Sequence, residues 1–225
     1  MTTSAIHTAR PPLATKMQPA QQRATETFER ILKVTAETLA DVGVERLSTN
    51  IVCQRAGLTP PALYRYFPNK YALVSELGHR LMQAQNECVG RWISVAVYQG
   101  PLEELEAALE GLLLDTYEVT SRTTGGLWIM RALRAVPALE EVRLASHAAV
   151  TDAQVPLLRK AFPKAAAAEL RLVSRIVVEL VYSAVEMLCE ESLDARSVAG
   201  IVAGMLAGHR ARLAAPPAAR TRRRG

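Results

Sequence analysis

The sequence predicts an all-α protein: an N-terminal three-helix helix-turn-helix domain followed by a larger C-terminal helical domain. Three observations predict it. Hydrophobic residues make up 49% of the chain but aromatic residues only 5%, and the abundance of Ala, Leu and Val suits helices packed on helices. Apolar residues recur at helical spacing, and no segment sustains the alternation of a half-buried strand. Pro and Gly fall mainly at the ends of the periodic segments, where helices start and stop.

Residues 1–20 carry Thr, Ala and Pro without helical pattern and read as a disordered arm. Arg10 and Lys16 there, with Arg23 just beyond, either meet a polyanion or belong to an inert solvated tail. The first helix places Phe28, Ile31, Leu32, Ala36 and Leu39 on one face and meets Gly43. Ser48 and Thr49 then supply a cap, since a hydroxyl accepts from a backbone N–H left unpaired in the first turn. Ile51, Val52, Cys53 and Ala56 form the apolar face of the second helix, and Gly57 suits a left-handed helix end. Thr59 is a second capping residue, and Pro60 follows at the first helical position, where its missing N–H costs nothing. Pro68 disfavours helix at Phe67, which keeps the third helix short. Asn69 caps a further helix that starts near Lys70.

Two short helices joined by a turn with one glycine are the sequence form of a helix-turn-helix, which points to a duplex DNA partner. The bland alternative is an ordinary helical hairpin in a core. Against it, Leu63 and Phe67 lie four apart and anchor one face, leaving Thr59, Pro61, Ala62, Tyr64 and Arg65 free to point outward.

The stretch from about Arg23 to Arg80 resembles the DNA-binding domain of the TetR family of transcriptional regulators. Leu63-Tyr64-Arg65-Tyr66-Phe67-Pro68-Asn69-Lys70 closely matches that family's most recognisable signature. The resemblance implies that Thr59, Pro60, Pro61 and Ala62 approach base edges from the start of the recognition helix. It implies phosphate contacts for Thr49, Tyr64, Tyr66 and Lys70, with Asn50 reaching a base and Arg65 on the same outward face. Where many members have glycine, serine or lysine, this chain has Pro60-Pro61. Neither proline has a side-chain donor, so base reading leans on apolar contacts such as thymine methyls.

Charge is unevenly spread. Residues 1–82 carry 10 Lys+Arg against 6 Asp+Glu, residues 83–209 carry 11 against 16, and residues 210–225 carry 6 against none. The basic ends suit a polyanion and the acidic middle does not, which excludes a body that wraps nucleic acid along its whole length. Cys53, Cys88 and Cys189 fit neither a disulfide framework nor a metal knuckle, so reduced cysteines in a cytoplasmic protein are expected. No stretch reaches ~18 uncharged apolar residues, so neither export nor a membrane partner is expected. His7, His79, His147 and His209 are scattered, so no metal or other cofactor is expected. Without a Gly-x-Ser-x-Gly, a phosphate-cradling glycine loop or a spaced triad, the chain has no catalytic residues and does not read as an enzyme.

A DNA-binding domain over 21–80 is thus expected to lead into a helical regulatory and dimerisation domain over 81–213, with a basic disordered tail over 214–225. Helices are expected from Lys70 to about Val97, then near 102–121, 126–135, 138–160, 165–190 and 195–213. The helix over 165–190 is apolar round most of its circumference, with its charges confined to one strip, so it needs cover on two sides. A second copy of the chain is the economical cover. Gly200, Gly204 and Gly208 recur beside Ala199, Ala203 and Ala207, and each mid-helix glycine costs about 1 kcal/mol relative to alanine. Close approach of another helix over this small-residue stripe would offset that; packing within the chain alone is the alternative. The family resemblance implies a four-helix homodimer interface of the last two helices, with Val177, Leu180, Val181, Ala184, Gly200, Ala203, Gly204, Ala207 and Gly208 as candidates. It also implies a small-molecule effector site, for which Trp92, Tyr117, Trp128, Met130, Arg131, Arg134 and His147 are the candidates, although each apolar one alone reads equally as core. The functional expectation is a homodimeric repressor released from a near-palindromic double-stranded operator by a small, mostly apolar ligand. The competing expectation is a helical ligand carrier or interaction protein whose helix-turn-helix is structural.

Overall fold

The computed structural model describes residues 10–17 and 22–214. Among these residues there are eleven helices and no strand: α1 (Gln22–Arg46), α2 (Thr49–Ala56), α3 (Pro60–Tyr64), α4 (Lys70–Trp92), α5 (Val95–Gln99), α6 (Leu102–Arg122), α7 (Gly126–Ala135), α8 (Glu140–Ala161), α9 (Ala167–Glu190), α10 (Ala195–Gly208) and α11 (Arg210–Ala214). None is long and apolar enough to cross a membrane. The basic tail beyond Ala214, with Arg220, Arg222, Arg223 and Arg224, lies outside the described residues.

The chain divides into two compact units, residues 1–80 with 124–143, and residues 81–123 with 144–225. The expectation of one continuous regulatory segment over 81–213 is therefore corrected, because 124–143 clusters with the N-terminal unit. The reason is apolar burial. Helix α7 packs on α1 and contributes Ile129, Met130 and Leu133, all essentially inaccessible. Full burial of such side chains is worth roughly 1.5–3 kcal/mol each. The turn into α7 depends on Gly125, whose φ is 70° and whose missing side chain leaves room for the Ala36 carbonyl oxygen, 2.7 Å from where a Cβ would sit.

The first unit is centred on Phe28, which stacks on Phe67 at 4.9 Å and meets Tyr66 edge-on at 5.7 Å. Ile31, Leu32, Leu39, Leu47, Leu63 and Leu73 close around them. Residues 10–17, expected to be a disordered arm, are tied to this unit. The Lys16 amide donates to the Tyr66 carbonyl at 2.7 Å, and the Asn69 side chain donates to the Pro12 carbonyl at 3.0 Å.

In the second unit α10 lies against α6, and α9 packs on both. One core cluster joins Cys88, Ile93, Leu105, Leu109 and Leu112 to Ala203 and Ala207, and another joins Leu158, Phe162, Leu170 and Leu213. The helix expected to run to Val97 ends at Trp92. Ser94, extended at φ −140°, caps the separate helix α5 by accepting from the Val97 amide at 3.3 Å. The expected final helix divides at His209 into α10 and α11.

Candidate nucleic-acid interface and interior cavity

The helix-turn-helix is built as its residues dictate. Ser48 caps α2 through its side-chain oxygen, which accepts from the Ile51 amide at 3.3 Å. Gly57 ends α2 in the left-handed conformation at φ 61°, and the following Leu58 amide closes back on the Cys53 carbonyl at 2.9 Å. That pairing satisfies carbonyls the helix would otherwise leave open. Thr59 is extended and Pro60 opens α3, but the Thr59 hydroxyl makes no capping bond. Its backbone carbonyl instead accepts from the Ala62 and Leu63 amides. The expected side-chain cap is corrected accordingly. Asn69 caps α4 by accepting from the Ala72 amide at 3.0 Å.

Leu63 and Phe67 are fully buried and hold α3 on the unit. Thr59, Pro60, Pro61, Tyr64 and Arg65 are exposed, as is Asn50 on α2, and Ala62 is half-buried. The Thr49 and Tyr64 hydroxyls lie 2.9 Å apart, bridging α2 and α3. Lys70 turns back on the chain, donating from Nζ to the Val44 and Glu45 carbonyls at 3.0 and 3.3 Å. An ammonium has three donors, so this leaves one for an outside acceptor. Tyr66, for which the resemblance implies a phosphate contact, is a core residue: only 4% of it is accessible and its ring packs on Phe28. Supporting pairs lie behind the face. Arg80 forks onto both Glu29 oxygens at 2.7 and 2.8 Å, and Arg55 meets Asp41 at 2.5 Å. The Arg80 guanidinium holds the Glu29 carboxyl below its usual range.

The second unit contains a cavity of about 110 Å³, several times the ~10–15 Å³ a single water requires. Its wall comes from α4, α5, α6, α8, α9, α10 and α11 and is mostly aliphatic, with Val89, Leu105, Leu109, Val150, Val177, Val181 and Leu206 prominent. Several polar neighbours are paired with one another: Gln85 with Thr120 at 2.7 Å, Asn86 with Ser146 at 3.0 Å, and Tyr98 with Gln154 at 3.1 Å. Burial pushes the Tyr98 phenol well above its ordinary range. His147 is the one expected effector-site residue on this wall. Its Nδ1 is 3.2 Å from a Glu179 oxygen that also accepts from Arg175 at 2.9 Å, and its ring meets Tyr182 edge-on at 4.7 Å.

The other effector candidates lie elsewhere. Trp92 is held by its indole N–H on Asp115 at 2.8 Å, with its ring over Gly111. Tyr117 is half-buried on α6 outside the cavity wall. Trp128, Met130, Arg131 and Arg134 belong to the first unit, where Met130 is core and the Arg131 guanidinium sits 5.0 Å from the centre of the Trp128 ring. The residues that sequence reasoning missed are chiefly the aliphatic ones of α4, α6, α8 and α9, together with Ser174, His209 and Arg210.

The expected interface residues also separate. Val177 and Val181 line the cavity, Ala203 and Ala207 are packed in the α6–α10 core, and Ala184 is buried. These five are corrected from an outer face to the interior. Leu180 is exposed, and a Cβ on Gly200, Gly204 or Gly208 would meet nothing within 4 Å. The outward apolar side chains beside them are Leu172 and Ile176 on α9, and Ile201 and Met205 on α10, the last two 61% and 73% accessible.

Comparisons with known proteins agree with this architecture. Residues 31–77 match the family model described as bacterial regulatory proteins, tetR family. A Mycobacterium tuberculosis protein described as an uncharacterized HTH-type transcriptional regulator is 26% identical over 107 residues, covering 48% of this chain and 52% of that protein. The chain thus spans about half the length of the curated relatives it matches. Among solved structures, a tetR-family transcriptional regulator from Streptomyces coelicolor superposes with a TM-score of 0.60 at 19% identity, covering 84% of this chain and 82% of that one. The SmeT–triclosan complex superposes with a TM-score of 0.60 at 21% identity, covering 81% and 90%. Residues 31–77 therefore carry a helix-turn-helix of the TetR type, and the chain as a whole shares the all-α fold of these solved structures.

Proposed function

We propose that this protein is a homodimeric transcriptional regulator that binds a near-palindromic DNA operator, represses by occupying it, and is released by a small, mostly apolar ligand. The observation that carries the reading is α3: a five-residue helix anchored by Leu63 and Phe67 that exposes Thr59, Pro60, Pro61, Tyr64 and Arg65 together. Pro60 and Pro61 offer apolar contact to a base edge and no hydrogen bond. Affinity then rests on phosphate anchors: the Thr49–Tyr64 hydroxyl pair, the remaining Lys70 donor and Arg65. Two features outside the first unit support the rest of the reading. The outward strip of Leu172, Ile176, Leu180, Ile201 and Met205 is the kind of contiguous apolar patch that marks an association surface, and a self-complementary contact between two copies is the commonest way to cover one. The aliphatic cavity has the composition of a small-molecule site. SmeT, similar in fold, is a protein solved with triclosan bound.

Two recognition helices reading successive major grooves require half-sites roughly 34–36 Å apart. Selection of bound sequences from a random duplex pool is expected to return an inverted repeat at that spacing, protected by a dimer. The double variant Tyr64→Phe, Lys70→Ala is expected to weaken binding at every sequence and to flatten its salt dependence. DNA binding left intact by that variant, or a selection that enriches nothing, would leave the ligand-carrier reading in its place.

A further inference from the structure

We propose that the cavity of the second unit takes an amphiphilic monoanion, an apolar chain ending in a carboxylate, with the carboxylate seated between Arg210, His209 and Ser174. The inference rests on the reading of this cavity as an effector site and adds the charge and orientation of what fills it.

Two buried side-chain atoms without a hydrogen-bond partner and one half-buried guanidinium lie on the cavity wall. Ser174 is 4% accessible and its hydroxyl has no hydrogen-bond partner; the Nε2 atom of His209 is likewise buried and unpaired. Arg210 donates to the Gln99 carbonyl at 3.3 Å and forms no ion pair with a carboxylate among the described residues. All three line the cavity. The apolar cluster beside them ties α9 to α11. Leu170 and Leu213 share one core cluster with the Tyr98 ring beside it. Ser174 lies one turn beyond Leu170, while His209 and Arg210 lie one turn before Leu213, and Gln99, which Arg210 grips, follows Tyr98.

Unpaired buried polar groups are uncommon in folded proteins, and each asks for a reason. An oxyanion supplies one for Ser174 and His209, and the half-buried Arg210 beside His209 supplies the opposite charge. A guanidinium offers parallel N–H donors spaced for two carboxylate oxygens, and the imidazole Nε2 and the serine hydroxyl complete the set. A cationic head would be repelled by Arg210, and a neutral one would leave its charge unmatched. Away from these three, Asn86 bonds Ser146, Tyr98 bonds Gln154 and Gln85 bonds Thr120, and most of the other wall residues are apolar. That arrangement fits a molecule with one charged end.

The test uses the full chain and three ten-carbon probes: decanoate, decanol and decyltrimethylammonium, titrated calorimetrically below micelle-forming concentrations. Saturable binding of one decanoate per chain is expected, at least tenfold tighter than either other probe. The preference for decanoate should vanish in Arg210→Gln and return in Arg210→Lys, with melting curves confirming that both variants are folded. If decanol or the cation binds as tightly as decanoate, or if Arg210→Gln leaves decanoate binding unchanged, the anionic head is overturned while the effector site stands. If none of the three probes binds, the cavity is not an effector site for apolar molecules and both readings fall.

Discussion

At the scale of single residues, the proposed operator face separates neutral from charged anchors. Thr49 and Tyr64 share one hydrogen bond at 2.9 Å, so one hydroxyl proton is spent and the pair presents a single O–H to a phosphate. Tyr64→Phe removes one of the two hydroxyls, and the link that positions the other, without removing charge. Its expected effect is about 1 kcal/mol of operator affinity with an unchanged salt slope. Lys70→Ala removes a cation, so the slope of log affinity against log salt should fall by about 0.9, one phosphate contact on B-form DNA. Anisotropy titrations of both single variants across a salt series check the pair of outcomes. A slope change in Tyr64→Phe would mean that the variant displaces more than its own contact. A second residue-scale prediction concerns Glu29, whose carboxyl is held low by the Arg80 fork. A depressed carboxyl pKa stabilises the fold above its unfolded value and loses that contribution as pH falls through the folded one. Glu29→Gln should therefore lower the melting temperature near neutral pH, with the gap to wild type closing as the pH drops below the ordinary glutamate range. Both partners are largely solvated, so the gap should be small, on the order of 1 kcal/mol or less.

At the scale of elements, α7 is tied to the first unit through a turn only glycine tolerates. Gly125→Ala puts a side chain at φ 70°, 2.7 Å from a backbone oxygen that cannot swing away. The left-handed conformation alone costs roughly 1–2 kcal/mol for a non-glycine residue, so a loss of about 2 kcal/mol or more is expected in chemical denaturation. A neutral result would show that the turn relaxes. This element also marks how far the sequence could be read. Its boundaries were legible, because Gly125-Gly126 and Val136-Pro137 punctuate a helical pattern. Its unit was not, because periodicity gives the buried face of a helix and not the partner that face meets. Helix α9 had the same ambiguity. Apolarity around most of its circumference was legible, but the inner arc lines a cavity through Val177 and Val181 while the outer arc exposes Leu172, Ile176 and Leu180. The candidate effector residues, aromatic and apolar groups with a few polar anchors, therefore missed a wall that is mostly aliphatic, with His147 the exception. The capped α2–α3 turn read through most fully, since its signals are local: Ser48, Gly57, Pro60 and Asn69 each act within four residues. The phosphate contact that the resemblance implied for Tyr66 was not a local signal, and the ring packs on Phe28 instead.

At the scale of the whole molecule, the proposed dimer makes the α10 glycines a test of two opposing effects. A mid-helix Gly→Ala change ordinarily stabilises a helix by about 1 kcal/mol, and around Gly204 within the chain there is nothing for a Cβ to strike. In a lone chain, Gly204→Ala should therefore raise stability. If a second copy lies against this stripe, the same methyl group occupies the space that allows two helices to approach, and association should weaken. The two signs separate in one set of measurements. Denaturation at concentrations where the chain is monomeric should show Gly204→Ala more stable than wild type, while sedimentation should show a dimer dissociation constant raised about tenfold or more, a loss of about 1.4 kcal/mol. Met205→Glu, which adds charge to the most exposed apolar side chain beside the stripe, should abolish the dimer outright. Operator affinity should fall in both variants, because each half-site alone keeps only its own phosphate anchors. Gly204→Ala stabilising the monomer and leaving both association and operator binding untouched would move the dimer contact off α10.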